Sequence, residues 1–522
     1  MNRKISGTVR ILLIAFIIGA LLTGCTTTTV APTAVAPTTV ASTAASTPTP
    51  AALKEVKLTL NIAGDPSPDQ QAVWDEIYKV TKDELNIKLS VNYTPWGDYI
   101  SKTGLLISSG EKLDIYLNFI FNLSGSVARK ECVALDDLLA TYGPDIKKAI
   151  PDNELSGLVI TGKLYGIPAI YPKDEIGSQV VIRKDLRLKY KLPEIKTMAD
   201  FELYLDTIKK NEPNMVPFTT AGARHFDFLY RAVNQGVIPY GFGYSVLPTF
   251  IVDLEKTPFK VENLFKSKWF IKSMEWNRKA YVNGWLERDI LNQKDDMGFF
   301  ASGKCAAKGA TDPFQLQSIA PLLAKNVPGA ELEVFLPYPD VPLLKLMPSN
   351  NFSCISSTSE NPERAMMFLN WMLKSKDNYS LYMYGIKGKH YNETADGRIE
   401  LPTGVDPANR PYNPTPWFIR NFNFEKYWVS DPQIYVDGVK FFLDHTKREN
   451  LLRNFQFDSS SVKLEYSQVE KVLTELGMPV LSGVMGTDSD YQNLLKKMED
   501  AGIEKIIAES QKQLDAFISQ QK

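Results

Sequence analysis

The chain has 522 residues, of which 44% are hydrophobic and 23% charged, and these ordinary proportions exclude a mainly disordered chain or a protein with many membrane spans. The formal net charge is −1, or −4 once the three cations of residues 1–25 are set aside, so no basic excess is left to bind nucleic acid. The length predicts about three domains, or two large ones with an appendage.

Residues 1–25 have the pattern of a lipoprotein signal peptide. A short basic segment precedes the apolar residues 11–22, a run shorter than the roughly 20 residues that a membrane-spanning helix needs. Residues 22–25, Leu-Thr-Gly-Cys, form a lipobox, which predicts that Cys25 becomes the amino terminus and carries a diacylglycerol. Two acyl chains give stable membrane attachment where one is marginal. An ordinary signal peptide with a chance cysteine is the alternative.

Residues 26–52 contain only Thr, Ala, Val, Pro and Ser. Such a segment cannot bury enough apolar surface to offset the entropy lost on ordering. We therefore predict a disordered tether between the lipid anchor and the folded part of the protein.

Strand and helix patterns alternate between residues 57 and 118, which predicts a β-α-β-α-β series and a mostly parallel sheet. In such sheets ligands bind beyond the carboxyl ends of the strands. This rule selects four candidate ligand-binding residues: Asp65, Trp96, Tyr116 and Asn118.

Trp96 leads this group because an aromatic face matches the apolar C–H face of a sugar ring. Each candidate also has a plainer interpretation. Asp65 would cap the helix that follows it, Trp96 would fill a gap under a loop, and Tyr116 would point into the sheet.

Residues 162–186 have the pattern of a passage between domains, with a turn, a short strand and a second β-branched run. Gly-Lys-Leu-Tyr-Gly-Ile-Pro at 162–168, followed by a strand ending in Arg-Lys-Asp-Leu at 183–186, resembles the extracellular solute-binding proteins of ABC importers. The resemblance implies two lobes that close around a ligand, with this segment as the first crossing and Tyr171 at the floor of the cleft.

The resemblance extends over residues 56–520. A capping-box pattern at Thr197 to Asp200 opens a helix, as it does in the second lobe of these proteins. The stretches 361–371, 384–391 and 454–458 resemble a Gram-positive, family 1-like subgroup of sugar-binding lipoproteins that has an additional carboxyl-terminal module.

The fold class implied is α/β: a two-lobed, periplasmic-binding-protein-like fold (type II) with three crossings and a helical carboxyl-terminal addition. The second and third crossings are expected near Cys305 and Asn350. The expected divisions are 53–170 with 306–348 for lobe 1, 171–305 with 349–450 for lobe 2, and 451–522 for the module.

Further ligand-binding candidates follow from this frame. The stretch 213–245 is rich in proline, glycine and aromatic residues and is expected to line the cleft. The loop 411–417 presents an aromatic side chain and is a second sugar platform. The residues that these arguments add are Tyr240, Asp312, Phe314, Asn350 and Trp417.

The chain shows no spacing typical of an enzyme active site or a metal site, and we predict neither an enzyme nor a cofactor. Its three histidines match no metal-ligand or nucleophile motif. Cys132, Cys305 and Cys354 are expected to be buried small side chains, with one disulfide among them left open.

The resulting prediction is a monomeric, lipid-anchored extracellular protein that captures a solute and delivers it to an ABC permease. An oligosaccharide is the favoured solute, mainly on the resemblance and with support from Trp96 and Trp417. A solute-sensing lipoprotein for a membrane kinase and a secreted carbohydrate-active enzyme are the alternatives.

Overall fold

The computed structural model describes residues 53–171, 179–220, 237–240, 249–336, 343–344 and 351–520, except 255, 294, 407–408, 416, 449 and 453. Its strands, in chain order, are β1 (Val56–Ala63), β2 (Ile87–Thr94), β3 (Ile115–Phe119), β4 (Val159–Ile160), β5 (Lys163–Leu164), β6 (Ile167–Pro168), β7 (Gln179–Arg183), β8 (Val216–Thr219), β9 (Val237–Tyr240), β10 (Phe250–Asp253), β11 (Val261–Asn263), β12 (Cys305–Thr311), β13 (Leu332–Phe335), β14 (Leu343–Leu344), β15 (Asn351–Ile355), β16 (Asn392–Glu393), β17 (Ile399–Glu400) and β18 (Thr446–Arg448).

The α-helices occupy Gln70–Thr81, Tyr99–Ser108, Leu123–Ala128, Asp136–Tyr142, Pro144–Ala149, Asp152–Leu155, Lys184–Lys189, Met198–Asn211, Lys268–Val282, Asp296–Ala301, Pro313–Asn326, Pro362–Lys374, Lys376–Tyr384, Gln433–His445, Lys463–Val472, Met478–Leu481, Asp488–Asp500 and Ile503–Gln520. A π-helical turn, Leu473–Gly477, joins two of the last helices.

Lobe 1 is built on a five-stranded sheet in the order β2–β1–β3–β15–β6. β1 pairs in parallel with β2 and β3, and β15 runs antiparallel to β3 and β6. Four consecutive residues of β1, 60–63, are buried, because the sheet is covered on both faces. The predicted β-α-β-α-β series is confirmed.

Lobe 2 is built on a four-stranded sheet in the order β13–β7–β12–β8 and an antiparallel three-stranded sheet, β11–β10–β9. β7 runs antiparallel to both β12 and β13, and every one of its residues is buried. The strand that follows the first crossing is therefore central to the second lobe.

The predicted assignment of residues 306–348 to lobe 1 is wrong. β12 pairs with β7 and β8, and β13 pairs with β7 over four residues, so this segment completes the second sheet. The predicted assignment of residues 349–450 to lobe 2 is wrong up to about residue 428, because β15 enters the first sheet and Ile419 lies in the lobe 1 core. The sequence could not distinguish the two assignments, because a short apolar strand has the same residue pattern in either sheet.

The chain passes between the lobes at three places. The first passage lies between β6 and β7, as predicted from residues 162–186. The second lies between β13 and β15; it runs from lobe 2 to lobe 1, and no crossing occurs at Cys305, which begins a strand inside lobe 2. The third lies between Trp428 and the helix Gln433–His445. This helix packs closely against lobe 2, because a Cβ added at Gly438 would lie 3.1 Å from Pro313.

The residues after 450 complete the core of lobe 2. Val469, Leu494 and Leu514 share one apolar cluster with Phe250 of β10. Backbone contacts support this packing, because the Asn277 side-chain amide donates to the Leu481 carbonyl at 2.9 Å. The carboxyl-terminal module is thus part of the lobe 2 core.

Two local features match the sequence patterns. The Thr197 hydroxyl accepts from the Asp200 backbone at 3.2 Å, and the Asp200 carboxylate accepts from the Thr197 backbone at 2.9 Å, which confirms the capping box. Cys132, Cys305 and Cys354 are buried and free, with Cys305 in the other lobe from the remaining two.

Candidate functional site

Trp96 lies at the edge of the first sheet where β1, β2 and β3 end. Its side chain is 48% exposed. The Trp96 ring lies 6.4 Å from the ring of Phe119 and 6.5 Å from that of Tyr99, measured between centroids. Tyr99 is anchored in the core through hydrogen bonds to Asn61 and Leu117, so one side of Trp96 is supported and the other faces solvent.

A glycine turn brings a second segment of lobe 1 close to Trp96. Gly64 has a φ of +114°, and a Cβ there would lie 3.2 Å from Thr415 Oγ1 and 3.7 Å from Trp96 Nε1. The Thr415 hydroxyl donates to the Ala63 carbonyl at 2.8 Å. The close approach requires glycine, and it places the segment that leads to Trp417 beside the end of β1.

We call the residues around the three passages, 168–171, 312–315, 351–353 and 417–435, the waist. Here the Tyr171 ring lies 5.9 Å from the Trp417 ring and 6.3 Å from the Phe314 ring. Phe314 belongs to the first turn of the lobe 2 helix Pro313–Asn326, whereas Tyr171 and Trp417 belong to lobe 1. The aromatic cluster therefore joins the two lobes.

Phe314 is enclosed by further rings. It lies 6.2 Å from Phe422 and 6.0 Å from Tyr435, again between centroids. Edge-to-face and tilted pairs at these distances each contribute about 0.5–1.5 kcal/mol beyond the area that they bury. The first turn of the lobe 2 helix thus packs among aromatic rings at the waist.

Arg420 lies against the two rings that meet across the waist. Its Cζ is 4.9 Å from the Tyr171 ring centroid and 4.6 Å from that of Phe314. Glu425 holds the guanidinium in a two-pronged pair, with Nη2 2.7 Å from Oε2 and Nε in contact with Oε1. Tyr379 donates to the same carboxylate at 3.2 Å.

The electrostatics of this group follow from its burial. Burial disfavours the Arg420 cation, but Glu425 outweighs burial and raises the pKa of Arg420 above its ordinary value. Burial also raises the pKa of Tyr171 to about 12, against the opposing charge of Arg420. At neutral pH the cluster therefore holds a fixed cation and a neutral phenol.

The backbone of residues 417–422 is attached to both neighbouring passages. Ile170 N donates to the Arg420 carbonyl at 2.7 Å, and Phe422 N donates to the Ile170 carbonyl at 3.0 Å. The Ser353 hydroxyl of β15 donates to the Phe418 carbonyl at 2.9 Å. The segment that carries Trp417 and Arg420 is therefore hydrogen-bonded both to the residues that follow β6 and to β15.

Several known proteins are similar to nearly the whole of this chain. A carbohydrate ABC transporter substrate-binding protein of Streptococcus pneumoniae is 25% identical over 463 residues, which cover 85% of this chain and 87% of that protein. The crystal structure of the N-glycan transport solute binding protein NgtS from Streptococcus pneumoniae matches with a TM-score of 0.73 at 22% identity, over 90% of this chain and 100% of that one. The chain is thus similar over most of its length to a substrate-binding protein of an ABC transporter, and it shares the fold of NgtS.

The alginate-binding protein AlgQ2 has the same fold, with a TM-score of 0.65 at 18% identity over 88% of this chain and 98% of that one. A family model described as a domain of unknown function, DUF3502, matches residues 451–519. That match starts at the same residue as the carboxyl-terminal module predicted at 451–522. The relatives named above are substrate- or solute-binding proteins.

Two of the predicted ligand-binding residues are not open to a solute. Tyr116 and Asn118 lie within β3 and are each 2% exposed. Tyr116 faces Cys354 of β15 across the sheet, and Asn118 is hydrogen-bonded to Ser126 at 3.1 Å. The prediction placed both in a loop, but β3 continues to Phe119, so their side chains fall inside the sheet.

The other candidates fall into three groups. Trp96 and Asp65 are exposed beside the ends of the lobe 1 strands, and Tyr171, Phe314 and Trp417 meet at the waist. Asp312 is 8% exposed and caps the helix at Pro313 by accepting from Gln315 N at 2.9 Å, so its carboxylate is already engaged. Tyr240 ends β9, with its side chain outside the described structure, as is all of Asn350.

Sequence reasoning missed the polar centre of the waist. Arg420 and Glu425 are five residues apart on either side of the turn Phe422–Phe424, and no motif marks them. The one available signal is the aromatic-rich surrounding sequence, which the Trp417 prediction already used. Within the described ranges we find no group of three or more His, Cys, Asp or Glu side chains arranged to hold a metal ion.

No helix among the described residues has the length and apolar character needed to span a bilayer. The predicted anchor at Cys25 lies outside the described structure.

Proposed function

We propose that this solute-binding protein captures an oligosaccharide between its lobes and delivers it to the permease of an ABC importer. The observation that carries the ligand class is the exposure of two tryptophans. All eight tryptophans of the chain are described, and only Trp96 and Trp417 are more than a third exposed, at 48% and 41%.

The positions of the two tryptophans support this proposal. Trp96 stands at the strand ends of lobe 1, and Trp417 packs on Tyr171 at the waist. A sugar ring has an apolar C–H face and a rim of hydroxyl groups, so an aromatic face beside polar loops suits it.

The names of structural relatives support the same class of ligand. NgtS forms complexes with Man1GlcNAc and Man5GlcNAc, and the pneumococcal substrate-binding protein FusA forms a complex with kestose. These ligands differ in sugar and linkage, so the support extends to oligosaccharides as a class.

Isothermal titration of residues 53–522 against oligosaccharide, peptide and polyamine panels tests the proposal. We expect binding to an oligosaccharide, with Kd raised about tenfold by Trp96→Ala and by Trp417→Ala, equivalent to about 1.4 kcal/mol each. Leu105→Ala, which removes a side chain 67% exposed on another part of lobe 1, is the control and should leave Kd unchanged. Binding to peptides alone would refute the sugar assignment.

The proposal includes a lipid anchor on the extracellular face. The Leu-Thr-Gly-Cys sequence at residues 22–25 and the charge-free tether that follows it support lipidation of Cys25. Cys25→Ser should release the protein into the medium and abolish its labelling by palmitate. Retention of the variant in the membrane fraction would contradict the anchor without affecting the ligand assignment.

A further inference from the structure

We infer that Arg420 is a positioning residue that couples the orientation of lobe 2 to the aromatic platform at Trp417. For its ligand-binding consequence this inference rests on the proposed function, whereas its structural consequence concerns the ligand-free protein.

The first step is that Arg420 touches both lobes with one rigid group. Its guanidinium is 4.9 Å from the Tyr171 centroid and 4.6 Å from the Phe314 centroid, and these rings belong to different lobes. A cation over an aromatic face contributes about 0.5–2 kcal/mol, with the larger values at desolvated sites. Arg420 is 7% exposed, so both contacts belong to the desolvated sites at which a cation over a ring contributes most.

The second step is that Tyr171, which contacts Arg420, also contacts Trp417, the proposed sugar platform. The Tyr171 ring contacts both Arg420 and Trp417, and it is tilted by 34° to the Trp417 ring with 5.9 Å between centroids. The contacts therefore form a continuous series from Phe314 to Arg420, Tyr171 and Trp417. A movement of the lobe 2 helix changes the surroundings of the platform residue through direct contacts.

The third step is that only arginine suits this position. Its planar, delocalised cation stacks on a ring and forms a two-pronged pair with a carboxylate, whereas the ammonium of lysine is a compact point charge. Glu425 uses both oxygens on Arg420, and Tyr379 supports Glu425 at 3.2 Å. The plane of the guanidinium is thus fixed from lobe 1, and Phe314 is the partner that moves with lobe 2.

The functional consequence follows from thermodynamic linkage. If the platform and the orientation of the lobes are coupled through Arg420, a ligand that orders Trp417 biases the lobes, and the orientation of the lobes changes affinity by the same factor. Weakening the Arg420 contacts removes this coupling while leaving the exposed face of Trp417 in place.

The chain offers a matched control for the loss of a buried arginine pair. Arg187 and Glu333 form a similar two-pronged pair inside lobe 2, with Nε–Oε1 at 2.6 Å and Nη2–Oε2 at 2.7 Å. Arg187 is 8% exposed. Arg187→Lys therefore removes the same chemistry from an arginine of similar exposed fraction without touching the waist.

The experiment compares Arg420→Lys with Arg187→Lys by two measurements. Spin labels on cysteines introduced at Leu105 of lobe 1 and Leu203 of lobe 2, both exposed, report inter-lobe distances in the ligand-free protein. Titration with Man5GlcNAc reports affinity. We expect Arg420→Lys to broaden the distance distribution and raise Kd about tenfold, and Arg187→Lys to change neither. Phe314→Leu keeps the apolar volume without the ring and should reproduce the Arg420→Lys result.

An unchanged distance distribution in both Arg420→Lys and Phe314→Leu overturns the inference, whatever the affinities. A Kd for Arg420→Lys that equals the Kd of Arg187→Lys, with altered distances, overturns the link to the platform. If the unsubstituted protein does not bind Man5GlcNAc or other oligosaccharides, the proposed function fails, and the distance measurement still decides whether Arg420 couples the lobes.

Discussion

Two buried arginine–glutamate pairs in this protein have the same geometry and different surroundings. Arg187 and Glu333 join the helix Lys184–Lys189 to β13, two elements of one lobe. Arg420 and Glu425 belong to one segment, but the guanidinium lies over rings from both lobes. Inside a lobe such a pair contributes to local stability, whereas at the waist the same chemistry also links two bodies.

The two pairs also differ in how far water reaches their carboxylates. The side chain of Glu333 is 20% exposed and that of Glu425 is 14% exposed. Because the cost of leaving a charge without a partner rises with burial, the waist pair is the more sensitive of the two. Three predictions, from the largest expected effect to the smallest, test how far this comparison holds.

The largest effect is expected when each carboxylate is neutralised. Glu425→Gln leaves the deeply buried Arg420 cation without a counter-charge, and we expect the free energy of unfolding to fall by about 3 kcal/mol. Glu333→Gln should cost less, about 1.5 kcal/mol, because water reaches that site more easily. Urea denaturation at pH 7 measures both. Equal losses would remove the energetic distinction between the waist and the lobe interior.

An intermediate effect is expected at the helix that carries Phe314. Asp312 caps this helix, and Asp312→Ala should cost about 1 kcal/mol and weaken oligosaccharide binding, because the first turn positions Phe314 at the waist. Asp295→Ala removes a similar cap, on Gly298 N at 2.8 Å, from another lobe 2 helix. The control should lose similar stability by urea denaturation and keep its Kd in titration. A shift of Kd in both variants would show that the effect is not specific to the waist.

The smallest effect is expected at Asp69, an ion-pair site of lobe 1 that is partly exposed. Lys389 Nζ lies 2.8 Å and His390 Nε2 3.1 Å from its Oδ2, and these hydrogen bonds lower the pKa of Asp69 below its ordinary value. His390 Nδ1 accepts from Ile386 N, so Nε2 carries the proton and donates to Asp69.

A carboxyl group with a lowered pKa stabilises the folded state above the unfolded value of about 3.9 and loses this contribution as pH falls through the folded pKa. Between pH 5 and pH 2.5 the unsubstituted protein should therefore lose up to about 1 kcal/mol more than Asp69→Asn. Urea denaturation across this range measures the difference. A steeper loss in Asp69→Asn would contradict the sign.

The sequence was sufficient for features that depend on local pattern. The alternating strands and helices of residues 57–118, the first passage between lobes and the capping box at Thr197 all follow from periodicity and turn residues. Trp417 was reached through a proline-rich loop with an aromatic residue. In each case the signal lies within a few residues of the feature.

Features that depend on pairing across long distances could not be obtained in this way. β13 joins β7 about 150 residues earlier in the chain, and nothing in its four residues selects that edge over one in the first sheet. Tyr116 is buried because β3 extends three residues beyond it, a boundary that pattern does not fix. Arg420 gains its role from Tyr171 and Phe314, which are remote in sequence.

The order in which the chain is synthesised bears on the last helix. The lobe 1 core draws on residues 58–419, and the lobe 2 core on residues 180–514. During synthesis the first half of lobe 2 is therefore made before lobe 1 is complete, and its apolar face around Phe250 is not fully covered until Ile503–Gln520 is available. The carboxyl-terminal helices thus cover an apolar surface that would otherwise favour aggregation.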